Sequence, residues 1–494
     1  MPLSPLRFRF LVISLLTVSF LGALDNTVVT TALATVAGQL GALEHMSWIV
    51  VGYTLASTVL LPVFGSLGDR VGARGVFLAS LVVFIVSSVA CGFAHDFVWL
   101  IVARVIQGMS SAGLQLMSQT IIAETTTPRQ RPKYLAIIGA AFPIAILIGP
   151  VLGGLITDYW GWPWVFWVNA PVGILALALA LVAIPHLPRT VRAGFDVAGA
   201  VTLAIGLVAL VLAVTWIGVD GGACVAALAI SAIGFSAFVL VELRAAQPLV
   251  PIRLFADRTM VTGTAISAIV GIGLFSLTAY LPTYFQMAYR TSATVSGFVP
   301  IATVFGMLVS NLTSGWLASR TGHYRVFAVV GTALGATGLG TMALLPPGLP
   351  LWAPMAVMAL VGLGTGAFMS LIVAVVQSAA PASETGAVTA TVNLVRQVGA
   401  TVTTAIIGTL VGFGVAAALP AGLDAATLTP AVVHSAPARL QADVASIYSD
   451  VFAPIFGTLA LVYVAGIVAS VLLPAGRLAD AADAAPEPTE PVAV

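Results

Sequence analysis

The chain alternates between long apolar stretches and short polar breaks, and each stretch approaches the ~20 helical residues that cross a bilayer. Fourteen such spans can be drawn: 8–35, 47–66, 74–94, 97–124, 134–157, 163–184, 197–218, 222–243, 259–286, 295–318, 326–346, 352–378, 386–415 and 453–474. The pattern predicts an all-α polytopic membrane protein. In the long break 416–452, Leu440, Val444, Ile447, Tyr448 and Val451 recur at helical spacing, which predicts an amphipathic helix lying at the outer interface. The tail 475–494, rich in Ala, Pro and acids, is expected to be disordered.

Composition agrees. Of the 494 residues 60% are hydrophobic and 7% charged, against roughly 25% charged in a soluble domain. If the chain starts inside, fifteen of its nineteen Lys and Arg residues fall in inner segments, Arg70, Arg74, Arg129, Arg131, Arg320 and Arg325 among them. The positive-inside rule then predicts cytoplasmic termini and an even number of spans, in a multi-pass protein of the cytoplasmic membrane. Arg7 and Arg9 followed by an apolar run and Ala-Leu-Ala at 32–34 resemble a signal peptide, but Asp25 interrupts the run and its length spans a bilayer, so an uncleaved first helix is expected. No basic run suits nucleic acid. Cys91 and Cys224 have no metal-ligand spacing, and there is no nucleotide loop or nucleophile–base pair. The chain reads as no enzyme, with no metal and no cofactor.

An internal repeat divides it. "GSLGDRVGARGVF" at 65–77 returns as "GWLASRTGHYRVF" at 315–327, with Gly65, Leu67, Arg70, Gly72, Val76 and Phe77 matched at a constant offset of 250. With spans seven and eight set aside, each copy is the loop between the second and third helix of a six-helix half. That predicts an N-terminal half, 1–190, an inserted hairpin, 191–250, and a C-terminal half, 251–474.

Five segments in order carry a family resemblance: "LDNTVVTTALATV" at 24–36, the 65–77 loop, "RVIQGMSSAG" at 104–113, "GPVLGGLITDYWGWPWVFWVNAP" at 149–171 and "NLVRQVGA" at 393–400. The chain resembles the major facilitator superfamily, specifically its fourteen-span drug:proton antiporters. Ala73 stands where a basic residue is usual, and "TVTT" replaces the glycines usual after the last motif. The resemblance implies the major facilitator fold. It implies that Asp69 caps a helix end and, with Arg70, Arg74 and Arg320, latches the inner side. It also implies that Gly149, Pro150, Gly153 and Gly154 form an antiporter seam that seals the outer side; small residues at four-residue spacing admit a close helix.

Asp25 poses the sharpest question, because an acid at membrane depth costs about 3 kcal/mol or more. Asp25 lies ten residues from the outer end of the first span and Arg104 seven from that of the fourth, depths of roughly 15 and 10 Å at ~1.5 Å per residue. The two are expected to meet in a cavity, directly or through water, with Asp25 as proton carrier. Arg104, Gly108, Ser111, Gln115 and Ser118 or Gln119 share one face of the fourth span, and Asn26, Gln107, Ser111, Gln115 and Arg396 are the candidate cavity residues. Arg396 can equally snorkel toward the cytoplasm, and Glu124 is the alternative proton site. One membrane acid suits a lipophilic substrate that is neutral or singly positive. The leading reading is a monomeric proton-coupled exporter of lipophilic compounds, drugs among them, whose extrusion confers antibiotic resistance; its partners are substrate, protons and lipid. A lipid or metabolite exporter and a non-transporting sensor are the alternatives.

Overall fold

The computed structural model describes residues 4–42, 45–186, 196–218, 220–245, 248–250, 252–346, 348–419 and 430–478. Among the described residues, fourteen helices are long and apolar enough to cross a membrane: α1 (Pro5–Gln39), α2 (Trp48–Val71), α3 (Ala73–Gly92), α4 (Phe97–Thr125), α5 (Arg131–Trp160), α6 (Pro163–Ala183), α7 (Val197–Thr215), α8 (Gly221–Glu242), α9 (Arg258–Thr278), α10 (Ala293–Thr321), α11 (Arg325–Leu344), α12 (Trp352–Ala379), α13 (Thr385–Ala418) and α14 (Ala438–Leu472). The polarity of the bundle is inverted relative to a soluble protein. On α4, Val102, Ile106 and Met109 are exposed, whereas Arg104, Gln107 and Ser110 are buried. Lipid solvates the apolar face, so the polar one must find partners inside.

Helices α1 to α6 pack on one another, as do α9 to α14. The hairpin α7–α8 stands outside both groups, with Leu203 and Leu207 against Val59 of α2 and Leu394 and Val398 of α13. It covers the seam where α2 meets α13. Helix α9 is interrupted near its end by a π-turn, Gly271–Phe275. There a Cβ on Gly271 would stand 1.9 Å from the Arg396 carbonyl oxygen, so only glycine lets the two backbones touch.

Two expectations are corrected. The segment holding Leu440, Val444, Ile447, Tyr448 and Val451 is no separate interfacial helix but the continuous start of α14. Aromatic packing draws it in: the Phe452 ring lies 4.8 Å from that of Tyr284, and Tyr448 stacks beside Phe452. The start of the tail is also ordered. Leu478 donates its amide to the Gly322 oxygen at 3.0 Å, and the Tyr324 hydroxyl donates to the Pro474 oxygen at 2.8 Å. Residues 479–494 lie outside the described residues. The chain's first and last helical ends thus share one end of the bundle with Arg70, Arg129, Arg131 and Arg320, which we call the basic face.

Candidate functional site

Asp25 and Arg104 meet directly. Arg104 Nη1 lies 2.6 Å from Asp25 Oδ2, and both side chains are fully buried. Gln107 Nε2 and Asn169 Nδ2 donate to Asp25 Oδ1 at 2.9 and 2.7 Å. Arg104 also donates to Gln107 Oε1 at 2.8 Å and, through Nε, to the Ile49 oxygen at 3.2 Å. Asn169 donates in turn to Ser88 Oγ at 3.0 Å. Five helices, α1, α2, α3, α4 and α6, therefore contribute to one buried polar cluster. Every oxygen of the carboxylate is engaged, whereas Arg104 Nη2 has no partner among the described residues.

This placement corrects the cavity reading. Asp25 and Gln107 face the interior of the N-terminal helices and not a space between halves. Tyr53 closes the cluster on one side: its ring centroid lies 4.2 Å from the Arg104 guanidinium carbon, a cation–π contact. Its hydroxyl donates to Ser111 Oγ at 2.7 Å. Ser111 is half-buried and Gln115 is exposed, although both lie on the α4 face opposite Val102 and Ile106. They face open space inside the bundle. Asn26, next to Asp25, is half-buried, and its Oδ1 has no partner among the described residues. Sequence reasoning missed Tyr53 and Asn169. An asparagine inside an apolar run was the available signal for the second.

Further along α4, Gln119 reaches the other group of helices. Asn393 Nδ2 donates to Gln119 Oε1 at 2.8 Å, and Arg396 donates to Asn393 Oδ1. Gln377 donates to Thr389 Oγ1 at 2.9 Å and to the Gln119 carbonyl oxygen at 3.4 Å. Below this layer, Asp69 at the end of α2 accepts from the amides of Gly386 and Ala387, at 2.7 and 2.9 Å, where α13 begins. The repeat supplies the opposite corner. Gly65 meets Gly386 and Ala390, whereas its counterpart Gly315 meets Pro132 and Ala136 of α5. Arg129 donates to the carbonyls of Ser319 and Arg320 at 3.2 and 2.7 Å, and Arg131 to Ser378 Oγ at 3.3 Å.

The arginines of the expected latch behave differently. Arg74 turns back to the end of α6, donating to the carbonyls of Ile184 and Leu181 at 2.7 and 3.0 Å. Its contacts stay within one half. The Arg320 guanidinium lies over Trp316 of its own helix, 4.1 Å from the ring centroid. Among the described residues, Arg320 reaches the other half through its carbonyl, which accepts from Arg129, and not through its side chain. Arg70 lies in the last turn of α2, one residue beyond Asp69.

In the glycine segment, a Cβ on Gly149 or Gly153 would stand 2.1 Å from Thr27 Oγ1 or Thr31 Oγ1 respectively, so α5 lies hard against α1. Thr27 donates to the Ala145 oxygen at 3.2 Å across this seam. Gly154 meets nothing within 4 Å and Pro150 is exposed. Those two face away from it.

The family model described as Major Facilitator Superfamily matches residues 15–404. The chain belongs to this superfamily. It is 33% identical over 491 residues, 97% of this chain and 72% of the relative, to the uncharacterized MFS-type transporter Rv1877 of Mycobacterium tuberculosis strain H37Rv. It is 31% identical over 395 residues, 79% of this chain and 73% of the relative, to the multidrug transporter protein MdtP of Bacillus subtilis strain 168. Among solved structures it superposes on the human organic anion transporter MFSD10 with a TM-score of 0.61 at 16% identity, covering 94% of this chain and 99% of the other; that likeness is one of fold.

As a Major Facilitator transporter, the molecule stands closed at the basic face. Residues 385–394 of α13 are buried, whereas 395–405 are half-exposed. The inter-half contacts of Gly65, Asp69, Gln119, Arg129 and Gly315 all gather on the buried side of that change. Beyond them, toward the other end, α13 is less buried, which marks the cleft between the halves.

Proposed function

We propose that this transporter is a proton-coupled exporter, an antiporter that moves lipophilic small molecules, drugs among them, by alternating access. It works as a monomer in the cytoplasmic membrane with its basic face inward, driven by the proton gradient and needing no cofactor. One observation carries the reading: α4 alone holds Arg104 in the acid cluster, Ser111 and Gln115 in the cleft, and Gln119 in the closed floor. A proton on Asp25 removes the charge that holds Arg104. The unpartnered Nη2 and the loss of its counter-ion then favour a shift of α4 relative to α1, and a rigid helix passes that shift to Gln119. Proton occupancy and gate closure are thereby linked, and a substrate lying against Ser111 and Gln115 is linked to both. The relative named as a multidrug transporter supports the class of cargo.

The test is transport in proteoliposomes under an imposed pH gradient, with a panel of cationic dyes, neutral antibiotics and labelled lipids and an internal pH dye. Gradient-dependent movement of a lipophilic compound with opposite proton flux is expected. A folded protein that moves none of the panel overturns the proposal.

A further inference from the structure

Resting on that transport reading, we infer that the cleft takes lipophilic compounds bearing a carboxylate or similar anionic group, which is held by Arg396. The argument begins with charge. Neither an Asp nor a Glu occurs in α9, α10, α11, α12 or α13. On the other side of the cleft, Asp25 is fully committed to Arg104. Arg396 is therefore a positive charge at membrane depth without a counter-ion, and among the described residues its one side-chain partner is Asn393 Oδ1.

Snorkelling does not relieve this charge. Asn393, Gln377 and Thr389 are buried, and with Gln119 they form a bonded layer between the guanidinium and the basic face. Toward α9, the π-turn covers the helix, with Gly271 against the Arg396 carbonyl and Ile272 against Gly399. The side chain instead turns toward Asn393, which faces α4 of the other half, and it remains half-exposed. Among the described residues no Arg396 nitrogen is a buried donor without a partner, so the N–H groups that Asn393 leaves unused keep access to a ligand. A neutral amide oxygen is a poor match for a planar fork of donors. A carboxylate replaces it with a charge-assisted, two-point pair. This reverses the preference for a neutral or positive cargo that a lone membrane acid suggests, because that acid is already neutralised.

The test uses two probes alike in apolar bulk, pyrenebutyric acid and pyrenebutanol, with binding to the full chain in nanodiscs measured against empty nanodiscs. Wild type is expected to bind the carboxylate at least tenfold more tightly than the alcohol. Arg396→Gln should bring the carboxylate down to the alcohol's affinity, and Arg396→Lys should keep part of the preference. Equal affinity of wild type for the two probes, or a preference that survives Arg396→Gln, overturns the assignment. Transport separates this from the wider reading. Gradient-driven export of the alcohol without a binding preference leaves an exporter and sinks the anion site; a clear preference without movement of either probe keeps the site and sinks the exporter.

Discussion

Asp69 Oδ1 lies 2.7 Å from the amide nitrogen of Gly386, so a carboxylate at the end of one helix holds the free N–H groups at the start of another in the opposite half. Helix N-termini carry partial positive charge and unmet donors, which makes this pairing a charge-assisted cap made across the transport cleft.

Asp69→Asn should weaken that cap by about 1–2 kcal/mol, roughly tenfold in the closed-to-open balance, because one acceptor and the charge are lost. Spin-label distances between the basic ends of α2 and α13 should lengthen in a larger fraction of molecules. Transport should slow while substrate affinity moves less than twofold. Equal losses in rate and affinity would show that Asp69 acts on the cleft.

Gly65→Ala and Gly315→Ala should open the same face from opposite corners. An added Cβ stands 2.7 Å from the Gly386 oxygen in the first case and from the Pro132 oxygen in the second, and neither backbone can yield without the halves parting. Hydrogen exchange at Gly386 and Ala387 should quicken in both variants. Gly75→Ala, which meets nothing within 4 Å, should leave exchange unchanged.

The α5 seam predicts a contrast between neighbours. Gly153→Ala puts a Cβ 2.8 Å from the Val28 oxygen of α1 and should destabilise by about 1–3 kcal/mol through overpacking. Gly154→Ala meets no neighbour and should be neutral, or stabilising by up to ~1 kcal/mol through helix propensity. Thermal unfolding of the two purified variants decides it, and equal melting points would remove the seam.

Asp25→Ala leaves Arg104 buried without a counter-charge and should cost about 3–5 kcal/mol. Asp25→Asn combined with Arg104→Gln should cost clearly less than the sum of the single changes, as a double-mutant cycle on stability would read. Gradient-driven export should stop in all of them. Proton movement coupled to substrate should likewise be lost in Asp25→Asn, as an internal pH dye would read; a variant that still moves protons with substrate would pass the proton to another site, Glu124 first.

The candidate site was legible in its residue types and much less in their partners. Asp25 and Arg104 stood out because charges are rare in an apolar chain, and their depths suggested a meeting. That Gln107 and Asn169 would spend their amides on the same carboxylate, and close it from the cleft, depends on the angles at which α3, α4 and α6 approach α1. The repeat disclosed Gly65 and Gly315 as equivalents without disclosing that one meets α13 and the other α5. Arg74, read as part of a latch on motif grounds, bonds instead to carbonyls at the end of α6 that no spacing in the sequence connects to it.

The sequence by itself determined the fourteen spans, because a bilayer demands about twenty apolar residues in a hydrogen-bonded helix and punishes any other arrangement. The interfacial reading of 440–451 failed for the complementary reason: helical spacing shows that a segment has an apolar face but not what covers it, and here Tyr284 does. Only the tertiary structure decided which polar groups are sealed and which face the cleft. Asp25 and Arg396 look alike along the chain, each a lone charge in an apolar run; packing gives one an ionic partner and, among the described residues, leaves the other without a counter-ion. That difference arises between helices distant in sequence, where side-chain geometry in three dimensions sets the electrostatics.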